Sequence, residues 1–172
     1  IIKSLPEVAA LSPRYLGSGR VEANYKQAVK AEDIDSAGAS FVGIDPIAED
    51  NLTGVSQFVV EGEYLEPGDY DQILIGAYLL TEYFPVESAA FPTLDDIGVG
   101  DKVRVTIGDI KREVTVKGIV KSKVDEISYR AYFVDSQLRD LTGRTDYNVG
   151  EISVKLKEGV DPVVIKEALL RS

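Results

Sequence analysis

The side chains of this sequence that are best suited to chemistry are carboxylates, because the 172 residues include no histidine and no cysteine. A Ser-His-Asp triad therefore cannot form, and no thiolate is available as a nucleophile or metal ligand, although a Ser-Lys dyad stays formally possible. Neither a G-x-S-x-G nucleophile elbow nor the glycine spacing of a phosphate-binding loop occurs. We therefore expect no nucleotide, no cofactor, no metal and no catalytic residue in this chain.

Five of the carboxylates are close together in the sequence. Residues 61–71 contain Glu61, Glu63, Glu66, Asp69 and Asp71. Such a cluster could support glycoside hydrolysis or bind a hard cation such as calcium. An EF-hand loop, however, needs an acidic or amide ligand at position five and a glutamate at position twelve, and the run that starts at Glu61 fails at both. A solvated edge of a strand and loop is the simpler interpretation.

The formal net charge of −10 is distributed unevenly along the chain. Residues 31–101 contain 16 acidic residues and no Lys or Arg, whereas the rest of the chain contains all 19 basic residues. A field of this sign repels nucleic acid and anionic headgroups, whose binding depends on Lys and Arg. We interpret the stretch as a solvated surface. A calcium site or a docking face for a basic partner is the functional interpretation, and a secreted calcium-binding or carboxylate-based hydrolytic module that uses residues 31–101 is the alternative function.

Two strand and helix units share one pattern at their junction. Residues 39–44 form an apolar run followed by Asp45 and Pro46, a good N-cap and a residue preorganised for the first helical position, and Gly54 ends the helix. Residues 151–156 alternate apolar and polar side chains, and Asp161 and Pro162 then open a helix that runs to the last residue.

Two further units are predicted from apolar runs. Residues 129–134 form an aromatic and β-branched strand, which Asp135 or Ser136 caps before a short helix that ends at Gly143. Residues 72–75 form a strand that leads into a helix over residues 77–84.

Two β-hairpins complete the prediction. In residues 102–120 two alternating apolar segments flank a turn at Gly108 and Asp109, which is the clearest hairpin in the chain. A second hairpin is predicted within residues 8–30, with its turn at residues 17–19.

These elements predict an α+β fold. Residues 1–60 and 125–172 would form a layered subdomain that contains βαβ units, and residues 61–124 a small, mostly β subdomain inserted into it. The longest apolar stretch, residues 73–80, is far shorter than the roughly 20 residues that span a bilayer. Because the sequence begins at Ile1 and shows no signal peptide, we expect a fragment of a larger protein.

Six short phrases resemble, in their order and separations, the periplasmic core domain of MacB-like permeases. The family includes the macrolide exporter and the lipoprotein-release permeases. The phrases are residues 5–8, 42–46, 61–65, 73–76, 99–103 and 114–120. The two most specific phrases are the valine-glycine-aspartate sequence at residues 99–101, which leads into the predicted hairpin, and the second strand of that hairpin at residues 114–120. Glu7 replaces the usual glycine, and Glu63 stands where arginine is common, which weakens any inherited contact there.

The resemblance implies an extracytoplasmic domain of an ABC transporter permease, held in the periplasm or on the outer cell surface and anchored in the cell membrane by helices absent from this sequence. It implies a porter-like layered subdomain and no enzymatic activity. The domain would couple cytoplasmic ATP hydrolysis to export or extraction of a substrate by mechanotransmission. The implied partners are a second copy of the permease, a cytoplasmic ATPase subunit, and an adaptor or substrate protein.

Overall fold

The computed structural model describes residues 2–84 and 90–170, which contain eight strands and four α-helices. The strands are β1 (Val8–Glu22), β2 (Ser36–Ile44), β3 (Val59–Gly62), β4 (Gln72–Gly76), β5 (Lys102–Ile107), β6 (Ile110–Val120), β7 (Arg130–Val134) and β8 (Glu151–Leu156). The helices are α1 (Pro46–Thr53), α2 (Asp125–Ser128), α3 (Asp135–Leu141) and α4 (Pro162–Leu170). A mixed sheet with few helices confirms the α+β prediction.

Six of the strands close into a ring. From β1 the hydrogen-bonded neighbours run through β2, β7, β4, β6 and β5, and the last of these pairs with β1 again. The β2–β7 and β4–β6 pairs are parallel, and the other pairs of the ring are antiparallel. Strand β3 pairs with β6, and β8 pairs with β1 outside the ring. We refer to the six strands as the ring.

Alternation of side chains along the strands gives the ring an inner and an outer core. The inner core receives apolar side chains from all six strands, among them Val21, Phe41, Phe133 and Val105. Because successive side chains point to opposite faces of a strand, Val42, Ile44 and other residues of β2, β4 and β7 form a second apolar cluster on the outside. The segment between α1 and β4 covers this outer cluster with Val55 and Leu65.

The predictions with local signals are confirmed. The Asp45 carboxylate accepts hydrogen bonds from the backbone N–H groups of Ile47 and Ala48 at 3.0 and 3.1 Å, Pro46 is the first helical residue, and Gly54 ends α1 in the left-handed conformation with φ 66°. The hairpin of β5 and β6 turns at Gly108, whose φ is 56°, and β8 and α4 form where predicted. The last two residues lie outside the described residues.

The hairpin predicted within residues 8–30 is wrong. Strand β1 continues through Gly17 and Gly19 to Glu22, and neither glycine has a positive φ. Glycine is needed at position 19 for a different reason, because a Cβ atom there would lie 2.0 Å from the backbone oxygen of Thr106 in β5. Gly19 therefore permits the close approach of a neighbouring strand rather than a turn.

The helix predicted over residues 77–84 is also wrong. Only a single 3₁₀ turn forms, Ala77–Leu79, and Leu80 then returns to the extended conformation and forms a parallel bridge with Leu94. Leu80 and Leu94 are both 1% exposed, so burial of this bridge in the inner core outweighs helix propensity. A smaller correction concerns α3, which begins at Asp135 without a side-chain cap.

Strands of the predicted insertion and of the flanking segments lie in the same eight-stranded sheet within the described residues. Strand β4 of residues 61–124, for example, pairs with β7 of the flank. The division into a layered subdomain of residues 1–60 and 125–172 and an inserted subdomain of residues 61–124 stays a prediction.

Candidate functional site

Outside the ring, the start of strand β1 and the end of strand β8 lie side by side. Strand β1 begins opposite the end of β8, with Val8 paired to Leu156, and the backbone N–H of Lys157 donates to the carbonyl oxygen of Glu7 at 2.8 Å. The segments that precede β1 and follow β8 therefore leave the sheet side by side. Helix α4 follows β8 after a short loop.

Strand β1 changes its partners along its length. Residues 8–14 pair with β8 on one edge, residues 14–22 pair with β2 on the other, and residues 20–22 also pair with β5. We call residues 8–14 together with β8 the terminal ribbon. Arg14 is the residue at which the ribbon joins the ring, because it is opposite both Ile44 of β2 and Glu151 of β8.

The Arg14 guanidinium forms a bidentate ion pair with the buried Glu49 of α1, and the Arg14 side chain itself is 13% exposed. Its Nε lies 2.9 Å from Glu49 Oε2 and its Nη2 lies 2.7 Å from Oε1. Ser12 of the ribbon donates a further hydrogen bond to Oε2 at 2.7 Å, and Thr53 donates to Oε1 at 3.2 Å. Glu49 is 3% exposed and Ser12 is fully buried. The carboxylate of Glu49 thus holds the ribbon and α1 together.

The same guanidinium also contacts the other strand of the ribbon. Arg14 Nη1 lies 2.5 Å from Glu151 Oε1, and Arg130 at the start of β7 lies 3.5 Å from Oε2 of the same carboxylate. Burial raises the pKa of Glu151, but the charges of Arg14 and Arg130 outweigh this effect and leave the pKa below its ordinary value. Ser12, Arg14, Glu49, Arg130 and Glu151 form what we call the junction cluster.

The junction cluster connects β1, β8, α1 and β7 at the point where the ribbon meets the ring. Burial lowers the pKa of Arg14, but the hydrogen bonds and charge of Glu49 and the charge of Glu151 together raise it above its ordinary value. Both shifts favour the charged forms, so Arg14 and Glu151 are ionised over the physiological pH range. The Ser12 hydroxyl is fully buried, and the Glu49 carboxylate that accepts its hydrogen bond is ion-paired with Arg14. The arrangement is therefore suited to holding four elements in a fixed geometry rather than to covalent chemistry.

Comparison with protein families shows to which family the chain belongs. The sequence profile of the MacB-like periplasmic core domain matches residues 1–171. The chain belongs to this family. The resemblance found in the sequence is confirmed, and the chain is the extracytoplasmic domain of a membrane-anchored permease of this kind.

Solved structures share the fold of this MacB-like domain. The periplasmic region of MacB from Actinobacillus actinomycetemcomitans has a TM-score of 0.61 and 17% identity over 99% of this chain and 68% of its own. The extracellular domain of the noncanonic ABC-type transporter YknZ from Gram-positive bacteria has a TM-score of 0.61 and 15% identity, with coverages of 96% and 73%. A permease domain from Porphyromonas gingivalis has a TM-score of 0.58 and 18% identity, with coverages of 99% and 65%.

The comparison with curated protein sequences gives no match. Within the part of the MacB-like domain that the structure describes, no helix is both long and apolar enough to cross a membrane.

The carboxylates of residues 61–71 are dispersed over the MacB-like domain instead of converging. Asp69 pairs with Lys117 at 2.5 Å, Asp71 forms two 2.8 Å hydrogen bonds with Arg112, and Glu61 accepts a hydrogen bond from Tyr83. The two partnering cations, Lys117 and Arg112, both belong to β6, outside the acidic stretch. Within residues 2–84 and 90–170 no three carboxylates come together in a group that could hold a metal ion.

Other carboxylates of the acidic stretch line an open cleft of about 530 Å³. Asp35, Asp95, Asp96 and Asp101 contribute to it, together with Lys26, Lys102 and several uncharged residues. Asp35 accepts a 2.8 Å hydrogen bond from the backbone N–H of Asp95, and burial raises the pKa of Asp35. The acidic stretch is thus partly used in ion pairs with the flanks and partly exposed around this cleft.

Sequence reasoning did not single out any residue of the junction cluster. Arg14 lies in the alternating row Ser12, Arg14, Leu16, Ser18 of β1, in which nothing distinguishes a buried arginine from a solvated one. Glu49 is one of two adjacent acidic residues in a short helix. The cluster depends on the crossing of β1, α1 and β8, which are separated by up to 137 residues, and it has no local signal.

Proposed function

We propose that this domain transmits movement in an ABC transporter permease and catalyses no reaction itself. Cytoplasmic ATP hydrolysis by an ATPase subunit would displace the membrane helices of the permease, and the domain would convert this displacement into export or extraction of a substrate on the outer side. The observation that carries the proposal is the side-by-side exit of the segments next to Val8 and Leu156, together with the junction cluster that ties them to the ring.

The position of the paired ends explains how a displacement would enter the domain. A helix attached before β1 or after β8 would act on the same end of the terminal ribbon. The ribbon is an antiparallel ladder, so a load that separates its two ends opens one hydrogen-bonded pair after another, starting at Val8 and Leu156. At Arg14 and Glu151 the load reaches the ion pairs of the junction cluster, which pass it to α1 and β7.

The absence of catalysis is supported by the chemistry of the side chains. The chain has no histidine and no cysteine, and two carboxylates of residues 61–71, Asp69 and Asp71, are ion-paired with Lys117 and Arg112. The partners that this function requires are a second copy of the permease and a cytoplasmic ATPase subunit, with an adaptor or substrate protein on the outer side.

Distance measurements in the full-length permease test the proposal without knowledge of the substrate. A spin label at Ile110, which is half exposed at the tip of the β5–β6 hairpin, reports the distance between the two copies. We expect trapping with ATP and vanadate to shift this distance, and Glu49→Gln in the junction cluster to reduce the shift. The matched control is Glu32→Gln, which weakens an ion pair with Lys30 that is exposed on both sides.

Two results would contradict the proposal. The first is a distance that ATP and vanadate leave unchanged in the unsubstituted permease, or that shifts equally in Glu49→Gln. The second is full transport by a permease from which residues 5–170 have been deleted.

A further inference from the structure

Strand β8 has a free edge. Among the described residues it pairs only with β1, whereas each strand of the ring has a hydrogen-bonded neighbour on both sides. The N–H and C=O groups along such an edge are available to a further strand. The strand is six residues long and contains no proline, so nothing in its backbone prevents pairing.

One row of side chains on β8 is apolar but incompletely covered. Ile152, Val154 and Leu156 alternate with polar residues and therefore lie on one face of the strand. Ile152 is 43% exposed, and Val154 and Leu156 are only half-buried. The equivalent alternating residues of the ring strand β5, Val103 and Val105, are at most 1% exposed. A partner strand at the free edge of β8 would extend the sheet and cover this row.

We propose that the partner is β8 of a second copy of this chain, paired antiparallel about a twofold axis at Val154. In this register Val154 is opposite the partner's Val154, and Ile152 is opposite the partner's Leu156. On the other face Glu151 is opposite the partner's Lys157. Directly opposite residues in an antiparallel pair lie on the same face, so all six apolar side chains form one continuous row.

The sequence of β8 favours this register over its neighbours. A shift by one residue places Ile152 opposite the partner's Lys155 and mixes the apolar row with the charged one. A shift by two residues pairs Glu151 with the partner's Lys155, but it leaves Leu156 opposite the partner's Gly150. Only the register centred on Val154 places every apolar side chain of the row opposite an apolar side chain. It also places Glu151 of each copy opposite a lysine of the other copy.

This inference deepens the proposed function, on which it rests for the presence of a second copy in the permease. It identifies a surface through which the two copies contact each other. The ladder would also join the two terminal ribbons directly, so that a displacement of one ribbon acts on the other.

Sedimentation velocity of the 172-residue chain over a range of concentrations tests whether the surface associates. We expect a reversible dimer, and we expect Ile152→Lys to raise its dissociation constant at least tenfold because a charge then faces the partner's Leu156. Val60→Lys is the matched control, because Val60 is 48% exposed on the other edge strand, β3, and should change the constant less than twofold. Far-ultraviolet circular dichroism confirms that each variant is folded.

Crosslinking tests the register. Because the chain has no cysteine, Val154→Cys introduces a single thiol that should be crosslinked to its copy by a short bismaleimide, whereas Val60→Cys should react far more slowly. A chain that stays monomeric, a dimer that Ile152→Lys leaves intact, or equal crosslinking of the two cysteine variants would each overturn the inference.

The two proposals can fail separately. If β8 does not associate but ATP still shifts the distance between copies in the permease, only the interface is overturned. If β8 associates and crosslinks as expected but ATP produces no shift, the proposed function is overturned while the interface stands.

Discussion

The ring and the terminal ribbon share strand β1, yet they are stabilised in different ways. Where β1 runs through the ring, Val21 is fully buried in a core to which all six strands contribute. In residues 8–13 of the ribbon only Ser12 is fully buried, and its hydroxyl is bound to Glu49. Apolar packing therefore fixes the ring, whereas main-chain hydrogen bonds and one ionic cluster hold the ribbon. The comparison indicates that the ring is the more stable part of the domain and that the ribbon, next to the paired ends, is the weaker part.

The largest effect is expected from a cavity in the ring. Phe133 is fully buried and its ring centroid lies 5.8 Å from that of Phe41. Phe133→Ala should lower the free energy of unfolding by about 4 kcal/mol, because it removes a large apolar side chain that the closed ring cannot replace. Urea denaturation measures this change. Phe91→Ala, at a residue that is 63% exposed, is the control and should change stability by less than about 0.5 kcal/mol.

A smaller effect that is centred on the ribbon is expected from the junction cluster. Glu49→Ala leaves Arg14, whose side chain is 13% exposed, without its bidentate partner, which should cost about 3 kcal/mol. Hydrogen exchange should show faster exchange of amides in residues 10–14 and 151–156 than in β6. Uniform loss of protection over both regions would contradict the distinction between ribbon and ring.

The N-cap of α1 also affects the ribbon, because α1 lies outside the ribbon and carries Glu49, which binds Ser12 and Arg14. Asp45→Ala removes the acceptor of two backbone N–H groups and should cost about 1 kcal/mol. Asp45→Asn keeps an acceptor at this position and should retain most of the stability. Thermal unfolding of the two variants beside the unsubstituted chain checks the prediction, and equal destabilisation by both would show that the cap bond is unimportant.

The smallest effect concerns pH. Because the folded pKa of Glu151 lies below its ordinary value, the stability gained from its ionised form is present above pH 4.5 and is lost as the pH falls through the folded pKa. Glu151→Gln should therefore be less stable than the unsubstituted chain at pH 6, by less than about 1 kcal/mol, and this difference should shrink as the pH falls to 3. Urea denaturation at the two pH values measures the difference, and a constant difference would contradict the role assigned to this carboxylate.

The sequence predicts those parts of the fold that depend on local signals. Asp45, Pro46 and Gly54 specify the start and end of α1, and Gly108 specifies the turn of the β5–β6 hairpin, because caps and turns are properties of a few consecutive residues. The family resemblance, which rests on phrases spread along the chain, supplied the extracytoplasmic location and the permease class.

Features that depend on contacts between distant segments could not be predicted in this way. Gly19 lies in a Gly-Ser-Gly sequence that is typical of a turn, but in the structure it permits close packing of β1 on β5. Leu80 lies in a segment predicted as a helix, but it is extended and pairs with Leu94. The closure of the ring and the burial of Arg14 and Glu49 likewise require the positions of strands that are far apart in the sequence. A single alternating row of residues contains no information on which of its polar side chains the fold will bury.

The most direct test of the account is a single-molecule force measurement that pulls on the open end of the terminal ribbon. Since the chain has no cysteine, Glu7→Cys and Lys157→Cys provide unique attachment points at the paired ends. We predict two events, an opening at low force that releases residues 8–13 and 152–156, about 40 Å of extended chain, and then unfolding of the ring at higher force. Glu49→Gln should lower the force of the first event and leave the force of the second, which apolar packing of the ring sets, nearly unchanged. A single event in the unsubstituted chain, or an unchanged pair of events in Glu49→Gln, would contradict the conclusion that the junction cluster connects the ribbon to the ring.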